Sequence, residues 1–303
     1  MKRNAKSVFF ILLFAFFMFM EAAWGQDGRL EFETSHSVDW VRGKISSRFS
    51  FDLAQAGIKL PTRRTMGEDI LEEAYPGLLR PFLLSLRLDS NTTIGDLVSQ
   101  NEVSLQELDA LCLGAEKIPP SLSADLTRMG GSYTVSMEKI GALLAKNRHA
   151  AEAERPLLPS PAADYTGIII IAPGELPIHG RRGSAAVEPC LFPRIWDTNM
   201  TLVYDKNMFD PRLREERLML GYAVEEHIFR ATPSGLDEDL LNLVGPNPLR
   251  VLARGVFGVF PTDPVIDRED ALKILSTENN RRLLREGRVL LVLNKESLES
   301  VVR

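Results

Sequence analysis

Arg155-Pro156-Leu157-Leu158-Pro159-Ser160-Pro161, followed beyond residues 162–164 by Tyr165-Thr166-Gly167-Ile168-Ile169-Ile170-Ile171-Ala172, divides the chain and sets its fold. Prolines packed this densely make a stiff, extended segment, so residues 155–163 read as a linker between an N-terminal domain (26–154) and a C-terminal domain (164–303). The four isoleucines are β-branched, and the run is too short for a helix of this hydrophobicity. It predicts a central strand buried on both faces.

Working outward toward the C-terminus, Arg194–Trp196 and Thr201–Tyr204 flank Asp197-Thr198-Asn199, which supplies a hairpin turn. Leu249–Val259 reads as a further strand that stops before Pro261. Asp267 is placed to cap a helix through Ala271, Leu272 and Leu275, and Gly287 ends the helical region before the strand Arg288–Leu293. Strand, helix and strand in that order predict a crossover unit on a sheet.

In the other direction, Leu30–Thr34 and Val38–Phe51 alternate apolar and polar residues, with a turn at Arg42-Gly43. Residues 65–88 have helical periodicity interrupted by Pro76-Gly77 and Pro81, which predicts two or three short helices. Ser104 and Glu107 form a capping-box pattern ahead of Leu105, Leu108, Leu111 and Cys112. Gly130-Gly131 reads as a turn into a strand over Ser132–Ile140. The fold class expected is α+β: two small mixed sheet-and-helix domains after a signal peptide.

The signal peptide is residues 1–25. Lys2, Arg3 and Lys6 precede an unbroken apolar run, Val8–Met20, too short for an ordinary span of roughly 20 residues. Ala23 and Gly25 put small side chains where a signal peptidase reads them, so cleavage is expected between Gly25 and Gln26. Export to the periplasm or the outer-membrane periphery of a bacterium follows; an uncut signal would instead leave an amino-terminal tether. No cysteine near that position could carry a lipid.

Over the 303 residues, 36 basic and 41 acidic side chains give a net charge of −5. A mildly acidic surface without clustered Lys and Arg argues against nucleic-acid binding. The two cysteines, Cys112 and Cys190, lack C-x-x-C spacing. Export permits a disulfide between them, but buried free thiols are the simpler reading.

Candidate chemistry is sparse. His36, His149, His179 and His227 are scattered, and none has zinc-ligand spacing, so no metal site is expected. Glu225-Glu226-His227 reads as a solvated edge, and Asp237-Glu238-Asp239 lacks the pattern of a calcium loop. Gly180-Arg181-Arg182-Gly183-Ser184 offers amides, two guanidinium groups and a hydroxyl, so Arg181, Arg182 and Ser184 form a candidate anion loop; without a Walker lysine it names no cofactor. Gly255 to Gly258 gives only G-x-x-G, which marks strand irregularity. No G-x-S-x-G elbow is present. No cofactor is expected and the protein reads as a non-enzyme. The competing expectation is a periplasmic enzyme or anion-binding protein that joins the Gly180–Ser184 loop to Glu225, Glu226 and His227.

As one constellation, Tyr165–Ala172, Pro189, Pro193-Arg194-Ile195-Trp196-Asp197, Val203-Tyr204, Asn247-Pro248-Leu249, Ala253-Arg254-Gly255, Arg268-Glu269-Asp270-Ala271 and Gly287–Leu293 resemble the carboxy-terminal half of the FlgP-like flagellar assembly proteins. Trp40 with Gly43-Lys44-Ile45, then Leu88-Asp89-Ser90-Asn91-Thr92-Thr93-Ile94-Gly95-Asp96, then Ser132–Met137 follow the order of that family's front half. The resemblance implies a structural role without catalytic residues: modules that associate into rings or discs around the flagellar motor, partnered by copies of themselves or by envelope and motor proteins. The chain departs from the family in having no lipidated cysteine and in an insertion-like segment, His179–Ser184.

Overall fold

A computed structural model describes residues 30–61, 63–229 and 236–302; the expected signal peptide and its cleavage residues, Ala23, Gly25 and Gln26, lie outside the described residues. The elements run β1 (Phe32–Asp39), β2 (Lys44–Asp52), α1 (Arg64–Ser85), α2 (Ile94–Ser99), α3 (Leu105–Leu113), β3 (Glu116–Leu122), β4 (Arg128–Ser136) and α4 (Met137–Leu144) in the first half. The second half holds β5 (Ile168–Ile171), β6 (Glu175–Pro177), β7 (Ser184–Ala186), β8 (Ile195–Asp197), β9 (Leu202–Tyr204), β10 (Gly221–Val224), α5 (Glu225–Ile228), α6 (Glu238–Val244) and β11 (Leu249–Phe257). It ends with β12 (Asp263–Ile266), α7 (Arg268–Ser276), α8 (Glu278–Arg285), β13 (Val289–Leu293), α9 (Lys295–Leu298) and β14 (Glu299–Val302). The fold is α+β in two parts, as the sequence predicts. Among the described residues no helix is long and apolar enough to cross a membrane.

The first sheet has the order β14-β1-β2-β4-β3 and is antiparallel throughout. Its inner face buries Ile45, Phe49, Phe51, Tyr133 and Val135. Those positions alternate with exposed or half-buried polar ones, as a strand with one wet face requires. Gly130 and Gly131 do not turn the chain. They sit within β4, paired with Ser50 and Phe49, where a Cβ on Gly131 would come 3.2 Å from the Tyr133 ring. The strand ends earlier than its apolar pattern suggests. The Ser136 side chain accepts from the Lys139 N–H, capping α4, and Met137, Ile140, Gly141 and Leu144 are buried at helical spacing.

Helix α1 is a second correction, being one helix of 22 residues with Pro76 and Pro81 inside it. An interior proline costs about 3 kcal/mol. The same helix buries Leu71, Tyr75, Leu79, Phe82 and Leu83, each worth about 1.5–3 kcal/mol, so packing outweighs the two breaks. Tyr75 stacks on Tyr133 at 4.0 Å between ring centroids and donates its hydroxyl to the Cys112 carbonyl at 2.7 Å.

The second sheet has the order β10-β13-β5-β11-β12-β8-β9. Strand β5 lies between β11 and β13, parallel to both, and is buried on both faces. Ile168 and Ile170 join the main core, while Ile169 and Ile171 pack with Leu240 and Val244 of α6 on the other side. The predicted crossover is therefore present: β11 and β13 run parallel to the same central strand, with α7 and α8 between them in the chain. The β8–β9 hairpin forms around the Asp197 turn. Asp267 occupies the N-cap position of α7, but its carboxylate is bound to Arg254 at 2.6 Å instead of to the helix amides. Both cysteines are free and buried.

Candidate functional site

One apolar cluster runs through both halves, and the polar groups at their junction are unusually ordered. The segment between α1 and α2 is the centre of it. Asp89 Oδ1 accepts from the N–H groups of Asn91 and Thr92 and from the Thr92 hydroxyl, each at 2.9 Å, which folds residues 88–92 into a tight turn. The turn's backbone is then used by the second half. Leu191 N–H donates to Arg87 O at 3.2 Å, Phe192 N–H to Leu88 O at 2.7 Å, and Phe260 N–H to Ser90 O at 2.9 Å. Asp89 Oδ2 receives Arg194 Nη2 at 3.4 Å, Arg87 pairs with Glu188, and the Arg87 guanidinium lies 4.9 Å over the Phe260 ring.

Beneath this turn Asp263 is fully buried. Its carboxylate accepts from Arg194 N–H at 3.1 Å, Trp196 Nε1 at 3.2 Å and the Thr262 hydroxyl at 3.0 Å. Burial raises its pKa above the ordinary carboxylate value, and the donors around it offset part of that rise. Ser90 Oγ also acts to lower it, yet meets no partner at ordinary hydrogen-bond geometry. The Tyr222 hydroxyl closes both backbone groups of Cys190, accepting from its N–H at 3.1 Å and donating to its carbonyl at 2.8 Å. The Tyr222 ring meets Trp40 of the first half edge to face at 5.5 Å.

Two further contacts hold the halves together. Arg214 donates to the carbonyls of Ala145 and Asn147 and to the Asn147 side chain, and burial of its guanidinium lowers its pKa. Strand β14 pairs with β1 in the first sheet, with His36 opposite Val302 and Asp39 opposite Glu299. A cleft of about 550 Å³ opens at the same junction, lined by Val38, Trp40, Phe82, Arg87, Glu188 and Pro189 among others. Chemically, the donors on Asp89 and Asp263 come from the protein itself, an arrangement that fixes the geometry of the junction.

The residues singled out by sequence lie elsewhere. Arg181, Arg182 and Ser184 are exposed in the β6–β7 hairpin. Arg181 donates to Gly258 O at 3.0 Å, and the Ser184 hydroxyl donates to Glu175 at 2.6 Å. His179 is tied to β11 through its N–H on Val256 O. Glu225, Glu226 and His227 form α5 after β10, three strands from β11 and so on the order of 14 Å across the sheet. The two groups are not brought together. Among the described residues no cluster of three or more His, Cys, Asp or Glu side chains could hold a metal ion.

Residues 31–143, which contain the Asp89 turn, match the family model of the Treponema pallidum Tp0624 N-terminal domain, and residues 167–295, which contain Arg194 and Asp263, match that of the Tp0624 second domain. Both halves are similar to Tp0624. The chain thus resembles a bacterial, spirochaete-like family, with two Tp0624 domains in the same order. The stretch between the two Tp0624 matches, 144–166, contains the linker read from sequence, and β14 lies beyond the second match. No curated protein matches the chain.

The junction is not legible in the sequence because its two sides are about a hundred residues apart in the chain. Leu88–Asp96 enters the sequence analysis only through the family resemblance and Arg194–Trp196 as a strand, and nothing in either pairs them.

Proposed function

We propose that this protein is an exported, non-enzymatic structural element of the bacterial cell envelope, serving flagellar assembly or motility in the manner of the FlgP-like proteins and acting with copies of itself or with envelope partners. One observation carries the reading. Leu88–Asp96 and Pro193–Asp197, two of the stretches on which the FlgP-like resemblance rests, face one another across the junction through Asp89, Arg194 and the backbone of residues 87–90. Shared residues that lock a shape support inheritance of that shape, and a scaffold is what a locked shape serves. The similarity of both halves to domains of a bacterial protein supports a bacterial setting.

In this reading the chain enters the periplasm through residues 1–25, is cut before Gln26, and works without a lipid anchor of its own. Deleting the gene in the native host, with motility scored and intact motors imaged by electron cryotomography, tests the assignment. Loss of swimming with missing envelope density around the motor is the expected result; normal swimming with complete motors removes the flagellar role. Amino-terminal mass determination of the native protein tests the cut at Gln26 separately.

A further inference from the structure

The outer face of the first sheet carries several polar side chains without partners among the described residues. Strand register places Ser35, Arg48 and Ser132 in one row across β1, β2 and β4, and Glu33, Ser50, Gly130 and Ser121 in the next. Gly130 contributes no side chain, and β3 bulges at Pro119-Pro120 between the paired residues Ile118 and Ser121. The result is a concavity of about 530 Å³ lined by these residues, in the size range of small-molecule sites.

Two charged residues line this concavity, Glu33 and Arg48, and Glu33 is paired. Glu33 pairs with Arg128 at 3.0 Å, Lys44 with Glu116 at 3.8 Å and Asp39 with Arg42 at 3.6 Å. Arg48 is exposed and makes no hydrogen bond or ion pair among the described residues. The hydroxyls of Ser35, Ser121 and Ser132 are likewise without side-chain partners. Arg128, which also donates to Ser50 Oγ at 3.2 Å, holds a buried Nε with no partner beside the same row. An unopposed guanidinium favours an oxyanion, which it can grip bidentately. Free hydroxyls on either side favour a ligand with many hydroxyls of its own, and the lack of an exposed aromatic ring among the lining residues removes apolar stacking as the source of affinity.

We propose that this concavity binds a sugar carrying an oxyanion, carboxylate or phosphate, with the anionic group on Arg48 and the sugar hydroxyls on Ser35, Ser121 and Ser132. The site is independent of the junction and of any flagellar role. The test is a titration of the folded full chain lacking residues 1–25, followed by amide NMR shifts, with D-glucuronate, glucose 6-phosphate, inorganic phosphate and glucose as probes.

Saturable shifts at residues 33–35, 48–50 and 130–132 with glucuronate or glucose 6-phosphate, weakened about 10-fold or more in Arg48→Gln and partly restored in Arg48→Lys, are expected; a tenfold loss is the scale of one charge-assisted contact. Arg48 is exposed and makes no hydrogen bond or ion pair among the described residues, so circular dichroism of both variants should match the parent. No saturable shift with either sugar acid, or binding unchanged in Arg48→Gln, overturns the proposal. Inorganic phosphate binding as tightly as glucose 6-phosphate overturns the sugar component, and glucose binding as tightly as either acid overturns the role of Arg48.

Discussion

Arg194 Nη2 reaches Asp89 Oδ2 at 3.4 Å across the junction, while the backbone N–H of the same arginine is bound to Asp263 at 3.1 Å. One residue of the second half therefore touches a carboxylate from each half, and the position of the Asp89 turn is registered against β12 through it.

Removing the two ends of that contact should have unequal effects. Asp89→Ala leaves two N–H groups and a hydroxyl of its own turn without their acceptor, and is expected to cost about 1–3 kcal/mol in urea unfolding. Arg194→Ala removes a long contact from a side chain that is 31% exposed, so its cost should be below about 1 kcal/mol. Equal losses from the two variants would show that the turn is held by the pair and not by its own amides.

Asp263 makes stability depend on pH in a defined direction. Its folded-state pKa is raised by burial, so the folded state disfavours the carboxylate. Below the unfolded value both states are protonated and the full contribution is present; it is lost as pH rises through the folded value. The stability of the wild type relative to Asp263→Asn should therefore fall as pH rises above the ordinary aspartate value of about 4 in parallel denaturation series. A difference that grows with pH would reverse the assignment.

Two glycines of positive φ separate backbone strain from crowding. At Gly258 (φ +120°) a Cβ would lie 2.3 Å from Phe260 O and 2.4 Å from Ser90 Cβ, so Gly258→Ala should push the turn off its seat and cost roughly 3 kcal/mol or more. At Gly174 (φ +73°) a Cβ meets nothing within 4 Å, and Gly174→Ala should cost roughly 1 kcal/mol from conformation alone. Thermal unfolding of the two variants should differ accordingly.

Thiol chemistry should be silent in the folded protein. Burial, helped by the charge of Asp109, pushes Cys112 up to about 11, and complete burial raises Cys190 as well. Neither thiol should react with Ellman's reagent at neutral pH until denaturant is added, when both should titrate. Rapid labelling of the native chain would mean local opening at α3 or at the junction.

The central strand was legible because four β-branched residues in a row have few other fates, and α3 because Ser104 and Glu107 form both hydrogen bonds of a capping box. Thr93 and Asp96 form the same box at α2, so the start of that helix is written in the sequence too. Strand β3 was hidden by Pro119 and Pro120, tolerated at an edge that bulges there. Strands β10, β12 and β14 are four residues each, too short for periodicity to register. The binding concavity was illegible for another reason: Arg48 and the serines around it read as an ordinary solvated strand face until register brings them into rows.

The pairing of β14 with β1 also bears on when the protein can become itself. His36 and Val302 meet across a sheet edge although nearly all of the described residues lie between them in the chain. A ladder of such sequence separation forms late and slowly, because the chain between its strands must first be brought to order. The first sheet therefore stays unfinished at its β1 edge until β14 has been made and brought back to it. Until β14 arrives, the hydrogen-bonding groups along that edge of β1 are open to pairing with another strand, so the last strand of the second half is also what closes the first half against association.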